Sequence, residues 1–253
     1  MTSFVELVGP SGVGKSTFYR NLIKTSSKGE YVSFEKASSL MALPRSFTRL
    51  PEACFTTNLA GKIRRRRTER TFKELFWSRA NLNCIDLIPY SMLMNNALKT
   101  NYASDRPFEL KLQIDSFMKN LLTSHFEINM FYKQNSPVIM DEGILMNVRG
   151  LNTIDFSKIT NIEFLLPKVV INCFARRDTV IERYIRRSRL LGLSMSSAKA
   201  NEVFDVTNSY SQSILNKLGT YGVKILSLNC EHLTSEDVRD TRKLINNLLS
   251  HDS

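Results

Sequence analysis

The 253-residue sequence predicts a three-layer α/β fold: a five-stranded parallel sheet flanked by helices, with a helical insertion between strands 2 and 3. Three observations carry the prediction. A glycine-rich loop, Gly9–Thr17 (GPSGVGKST), lies between a strand-like run and a helix-like one. Five short apolar runs alternate with stretches of helical period, the pattern of a sheet wound by crossovers. About a hundred residues, most of them with helical periodicity, separate the second run from the third, more than a simple crossover needs.

The first strand is expected over 3–8 and the helix after the loop over 17–24. Between them stands the G-x-x-x-x-G-K-[ST] pattern in its required strand–loop–helix setting, which reads as a nucleoside triphosphate site. Glycines at 9, 12 and 14 let main-chain N–H groups turn inward toward phosphate oxygens, with Ser11 and Val13 between them. Lys15 supplies charge for the β- and γ-phosphates, the Ser16 hydroxyl is a natural Mg²⁺ ligand, and Thr17 opens the helix whose N-terminus attracts anions.

A second strand is expected at Tyr31–Phe34, ending at Glu35. Residues 1–36 and 137–253 then form a nucleotide-binding core, and 37–136 a helical inserted subdomain that would grip an acceptor. Within the insert, Phe72, Leu75, Phe76 and Arg79 recur at helical spacing, as do Leu110, Ile114, Phe117, Leu121 and Leu122 in a helix over 110–131. The third strand, Pro137–Met140, ends at Asp141-Glu142-Gly143; the fourth is Val169–Phe174 and the fifth Val223–Leu228. Thr179 and Glu182 have the spacing of a capping box for the helix after the fourth strand, and Thr234 and Asp237 for the last helix.

Composition narrows the class. A formal net charge of +11 points to a polyanionic partner such as a nucleotide, a nucleic acid or an acidic membrane surface. No apolar run approaches the roughly 20 residues of a membrane span, and the start of the chain does not read as a signal peptide. Four scattered cysteines and three scattered histidines make no metal-binding spacing, so a reduced, cytoplasmic setting is expected.

Beyond the loop, the sequence offers five candidate features. Asp141 and Glu142, at a strand's C-terminal end, would face the triphosphate: Asp141 as a metal contact, either carboxylate orienting the acceptor. Glu35 is a candidate base for an attacking hydroxyl, or a surface carboxylate beside Lys36. Arg176, Arg177, Arg183, Arg186, Arg187 and Arg189 suit an arginine-rich lid hinged near Gly192, with Arg183 and Arg187 on the transferring phosphoryl group and Arg176 on the nucleotide. The run Lys62–Arg70 (KIRRRRTER) is either a solvated stretch or an anion grip for an acceptor, nucleic acid or membrane surface. Arg149 is a lesser candidate for acceptor contact.

With these pieces in place, the chain resembles the P-loop kinases of small molecules, nearest to the thymidylate kinase and deoxynucleoside kinase group, over about 1–36 and 137–253. The resemblance implies that Gly9–Thr17 is the ATP loop, Arg183 and Arg187 are lid arginines, Glu35 is the base, and Asn229-Cys230-Glu231 borders the adenine. Gly143 departs from the family, which places an arginine after the acidic residue, and the insert is longer than the family's. The expected activity is transfer of the γ-phosphoryl group of ATP, with Mg²⁺, to a small hydroxyl-bearing or anionic acceptor. The alternative is a regulatory NTPase with a basic nucleic-acid- or membrane-binding surface.

Overall fold

Every residue of the first strand, β1 (Phe4–Val8), is buried, as a central strand covered on both faces requires. The structure is a computed structural model that describes residues 2–27, 29–41, 84–132, 135–148, 150–159, 161–190 and 194–250. β1 pairs in parallel with β3 (Val138–Met140) on one side and β4 (Val169–Phe174) on the other. β2 (Val32–Ser33) lies outside β3, and β5 (Lys224–Asn229) outside β4, giving the order β2-β3-β1-β4-β5. The chain leaves β1 for one side of the sheet and later crosses from β3 to β4 on the other. β1 therefore marks a topological switch point, and the crevice beyond its C-terminal end is where ligands bind open α/β sheets. The expected α/β fold with five parallel strands is the observed one.

Side-chain alternation along β1 divides the core in two. Phe4 and Val8 point to one face, where they join Val32, Val138, Met140 and Val170. That face is covered by α2 (Phe34–Met41), α3 (Cys84–Tyr102), α4 (Phe108–Phe131), the short α5 (Ile144–Asn147) and part of α7 (Ser197–Gly219). Val5 and Leu7 point to the other face with Ile139, Val169, Ile171 and Cys173, under α1 (Lys15–Thr25), α6 (Arg177–Leu190), α8 (Ser235–Ser250) and the start of α7. The insert helices α3 and α4 bury Leu93, Ala97, Met118 and Leu122 directly against the sheet's own cluster. His125 of α4 stacks on Phe4 of β1 with ring centroids 4.0 Å apart, and the Tyr90 hydroxyl lies 2.9 Å from its Nδ1.

Several local expectations are corrected. β2 is only two residues long; Phe34 and Glu35 already belong to helix α2, because the Ser33 hydroxyl accepts the Lys36 N–H and starts that helix. Thr179 does not cap α6, which begins at Arg177; its hydroxyl donates to Glu231 Oε1 at 2.8 Å instead. The Thr234–Asp237 pair does form its box, the Thr234 N–H donating to Asp237 Oδ2 at 2.8 Å and the Asp237 N–H to Thr234 Oγ1 at 3.1 Å. On α4 the stripe read from the sequence is only half right. Leu121 and Leu122 are buried, but Leu110 and Phe117 are exposed, because Met118 and Ile128 face the sheet. The segment with Phe72, Leu75, Phe76 and Arg79, the basic run Lys62–Arg70, Arg149 and Gly192 lie outside the described residues.

Candidate functional site

The glycine-rich loop turns beyond the C-terminal end of β1. Gly9 has φ of 148°, and a Cβ there would stand 2.2 Å from the Cys173 carbonyl oxygen, so the loop presses against β4 in a way only glycine permits. Helix α1 opens at Lys15 from Gly14 with no side-chain cap, leaving its first N–H groups for an anion. The Lys15 ammonium is buried, donating to the Gly9 carbonyl at 2.9 Å and the Pro10 carbonyl at 3.1 Å, and lies 3.5 Å from Glu142 Oε1. Lys15 thus ties the loop to the end of β3. The two features read separately from the sequence share one cleft.

That cleft has a volume of about 570 Å³, and Ser11, Gly12, Gly14, Lys15, Ser16 and Thr17 form its loop side. Glu142, Arg186, Arg187 and Leu190 line it as well. Asp141, beside Glu142, is half-buried. Its Oδ1 is buried without a hydrogen-bond partner, while its carboxyl group bonds the Ser16 hydroxyl. Burial raises the Asp141 pKa, with the Glu142 and Glu35 charges adding to the rise; the Ser16 bond and Lys15 oppose it. A hydroxyl and a carboxylate oxygen with a free lone pair are the hard donors that suit Mg²⁺, so the residues present fit that ion.

Beneath this strand end sits a group that the sequence reading passed over. Glu6 of β1 is 2% exposed. It accepts the Leu145 N–H at 2.8 Å and further main-chain N–H bonds from Gly143, Ile144 and Met146. Burial raises its pKa to about 8 in spite of those bonds. Its carboxyl group also explains Gly143: a Cβ at that position would lie 2.5 Å from Glu6 Cδ. A charged residue in the middle of an apolar strand was the available signal.

The arginines divide into two roles. Arg183 lines the cleft and is also tied to its surroundings. Its Nη1 donates to the Val13 carbonyl at 2.6 Å, and its Nη2 to the Cys230 and Glu231 carbonyls at 3.1 and 2.8 Å. It pins α6 to the loop and to the turn after β5, a structural role beside its place in the cleft. Arg176 is absent from the cleft lining, its Nε donating to Glu231 Oε1 at 2.5 Å. The cause is Glu231, which the turn after β5 carries under the start of α6. Arg186 and Arg187, one turn further along α6, line the cleft and have no ion-pair partner among the described residues. The sequence reading also missed Arg20, which lines the cleft with its Nε donating to the Ser16 carbonyl at 3.0 Å. Its place four residues after Ser16, on the same helix face, was the signal.

Glu35 stands in the first turn of α2 rather than at a strand end, exposed, its Oε2 accepting the Tyr19 hydroxyl at 2.8 Å. Its charge acts on Asp141, so it belongs to the same acidic group. Cys230 and Glu231 of the turn after β5 border the cleft; Asn229 does not line it. Among the described residues, no group of three or more His, Cys, Asp and Glu could by itself hold a metal ion, and no helix is long and apolar enough to cross a membrane.

No family model matches the sequence, and no curated protein matches it. Among solved structures, the chain is similar to a deoxyadenosine kinase from M. mycoides with bound dCTP. The identity is 14% and the TM-score 0.45, over 96% of this chain and 99% of that one. It is also similar to the deoxyadenosine kinase from the same organism with dCMP and a flexible dCDP bound. There the identity is 17% and the TM-score 0.40, over 99% and 100% of the two chains.

Proposed function

We propose that the protein is a phosphotransferase that moves the γ-phosphoryl group of ATP to the hydroxyl of a small acceptor. The observation that carries this reading is the shared cleft: Lys15 of the loop lies 3.5 Å from Glu142 of the strand end. A loop that only bound nucleotide would not need two carboxylates, Asp141 and Glu142, acting on its lysine. Those carboxylates also favour a neutral hydroxyl over a phosphate as the acceptor, since a second anion would be repelled there.

The roles follow from position. Main-chain N–H groups of Gly12–Thr17 and the Lys15 ammonium hold the triphosphate. Ser16 and Asp141 are the residues that would hold Mg²⁺, which supplies charge neutralisation at the phosphates. Arg186 and Arg187 match the negative charge that spreads over the equatorial oxygens as the bond breaks. Glu35 takes the proton of the attacking hydroxyl, and Glu142 orients Lys15 and the acceptor. Positioning and electrostatics supply most of the rate, because this reaction asks little covalent work of the protein.

The test is direct. The protein is incubated with Mg·ATP and pooled nucleosides, nucleotides, sugars and glycans, and mass spectrometry follows which species gains one phosphoryl group. A hydroxyl-bearing acceptor should gain it and ADP should form in step. ATP hydrolysis at one rate with or without every acceptor would defeat the reading.

A further inference from the structure

We propose that Tyr19 is the positioning residue for the base: its hydroxyl holds the Glu35 carboxylate by one oxygen and leaves the other turned to the acceptor. The inference rests on the phosphotransferase reading above and deepens it.

The geometry begins with helix α1. Ser16 stands one position after the helix's first residue, and Tyr19 follows three residues later, on the same face. The Tyr19 ring is half-buried and packs against the core cluster that holds Phe18 and Leu22, so its hydroxyl is fixed relative to the phosphate loop. Glu35 is the opposite kind of group: a long, exposed side chain in the first turn of another helix, with several rotatable bonds. The 2.8 Å bond from Tyr19 to Glu35 Oε2 joins the two. Among the described residues no other side chain bonds that carboxylate, so this contact alone orients it. Burial raises the Tyr19 pKa, and the Glu35 bond and charge raise it further, so the phenol stays a proton donor over any working pH. The charged and titratable groups facing Glu35 are Tyr19 from α1 and Asp141 from the end of β3, with Lys36 next to it on α2.

The consequence is a fixed distance between donor and base. The loop that holds the triphosphate and the carboxylate that receives the proton are linked through one rigid turn of α1. In the transfer step the acceptor O–H gives its proton to Glu35 as its oxygen bonds the γ-phosphorus. The bond from that phosphorus to the bridging oxygen breaks, and its electron pair leaves with ADP. The Tyr19 bond holds the carboxylate where the acceptor hydroxyl arrives.

Tyr19→Phe removes only the hydroxyl and keeps the packed ring; a thermal melt like that of the wild type confirms the fold. With Mg·ATP and the hydroxyl acceptor that the pooled screen identifies, kcat should fall about tenfold, with the KM for ATP unchanged. A measurement without acceptor separates this inference from the reading it rests on: the ¹³C-carboxyl NMR signal of Glu35, identified by its absence in Glu35→Gln. A displaced carboxyl resonance in Tyr19→Phe supports the contact. An unmoved resonance, or a kcat equal to the wild type's, overturns the inference. Transfer by Glu35→Gln within a few fold of wild type would instead remove the base role from Glu35, whatever Tyr19 does.

Discussion

The two walls of the cleft are built differently. The phosphate loop is one contiguous stretch of nine residues, and its ligand-facing groups are mostly main-chain N–H. On the acidic side Glu142 at the end of β3 lines the cleft, and the groups near it come from separate segments: Asp141 beside it, Glu35 of α2 bonded to Tyr19 of α1, and Glu6 of β1 bonded to the Leu145 N–H. The first wall is mostly local, with β4 packed behind Gly9 and Arg183 bracing it at Val13. The second exists only when the sheet order brings β1 and β3 side by side, so it should be the more sensitive to changes that never touch a substrate.

The largest expected effect lies on the loop side. Lys15→Ala should lower transfer by about 10³-fold or more, since it removes the one buried cation facing the phosphates. The fold should persist at a somewhat lower melting temperature, since two carbonyls lose their donor; turnover that persisted would break the assignment of the loop as the catalytic wall.

The next sharpens the division among the arginines. Arg183→Ala should cost about 2–3 kcal/mol of stability in chemical denaturation, because three main-chain carbonyls lose a charged donor, and should weaken ATP binding along with it. Arg187→Ala should reduce kcat and leave the denaturation midpoint in place. Equal stability losses in both would erase the distinction between a pin and a phosphate contact.

A smaller effect tests the floor of the acidic wall. Gly143→Ala forces a methyl group onto the Glu6 carboxyl and should destabilise the fold by roughly 1–3 kcal/mol. Combining it with Glu6→Ala should cost less than the sum of the two single changes, since the second removes the atom that the first strikes. Strict additivity in the double-mutant cycle would refute the contact.

The last prediction concerns pH. Glu6 has its pKa raised from 4.5 to about 8 by burial. The folded state therefore holds a proton that the unfolded chain gives up between those values, and stability falls as pH rises through that window. His125 has its pKa lowered from 6.5 to about 3, again by burial. The unfolded chain takes up a proton that the folded state refuses, so stability falls as pH drops from 6.5 toward 3. Between about pH 4.5 and 6.5 the two slopes cancel, which places the stability maximum there. Above it the loss should approach roughly 1 kcal/mol per pH unit. Glu6→Gln should flatten the alkaline arm and His125→Phe the acid arm of a melting-temperature profile; arms unmoved by these changes would sink the attribution.

Some of this was legible beforehand, and particular residues show why. The loop was readable because its function depends on residue types at fixed spacing within a single turn. The strands β1, β3, β4 and β5 were readable within about a residue, because buried parallel strands are short apolar runs. Glu35 was placed at a strand end instead of in a helix, since nothing in the pattern announced that the Ser33 hydroxyl would take the Lys36 N–H. Arg183 was read as a phosphate contact because arginine spacing on a helix gives the face it occupies but not the carbonyls that face meets. Tyr19 and Arg20 were overlooked for the same reason, although both follow Ser16 along one helix face.

By itself the sequence determined the class of fold, the phosphate loop and the acidic end of β3, all of which follow from local period and from motifs confined to one segment. Only the tertiary structure decided that Glu6 lies under Gly143, that Arg183 grips the loop from α6, and that Tyr19 meets Glu35. Each of these pairs joins segments that are neighbours in space because of the strand order and the helix packing. Side-chain bonds of a few ångströms depend on that packing, and no spacing along the chain encodes it.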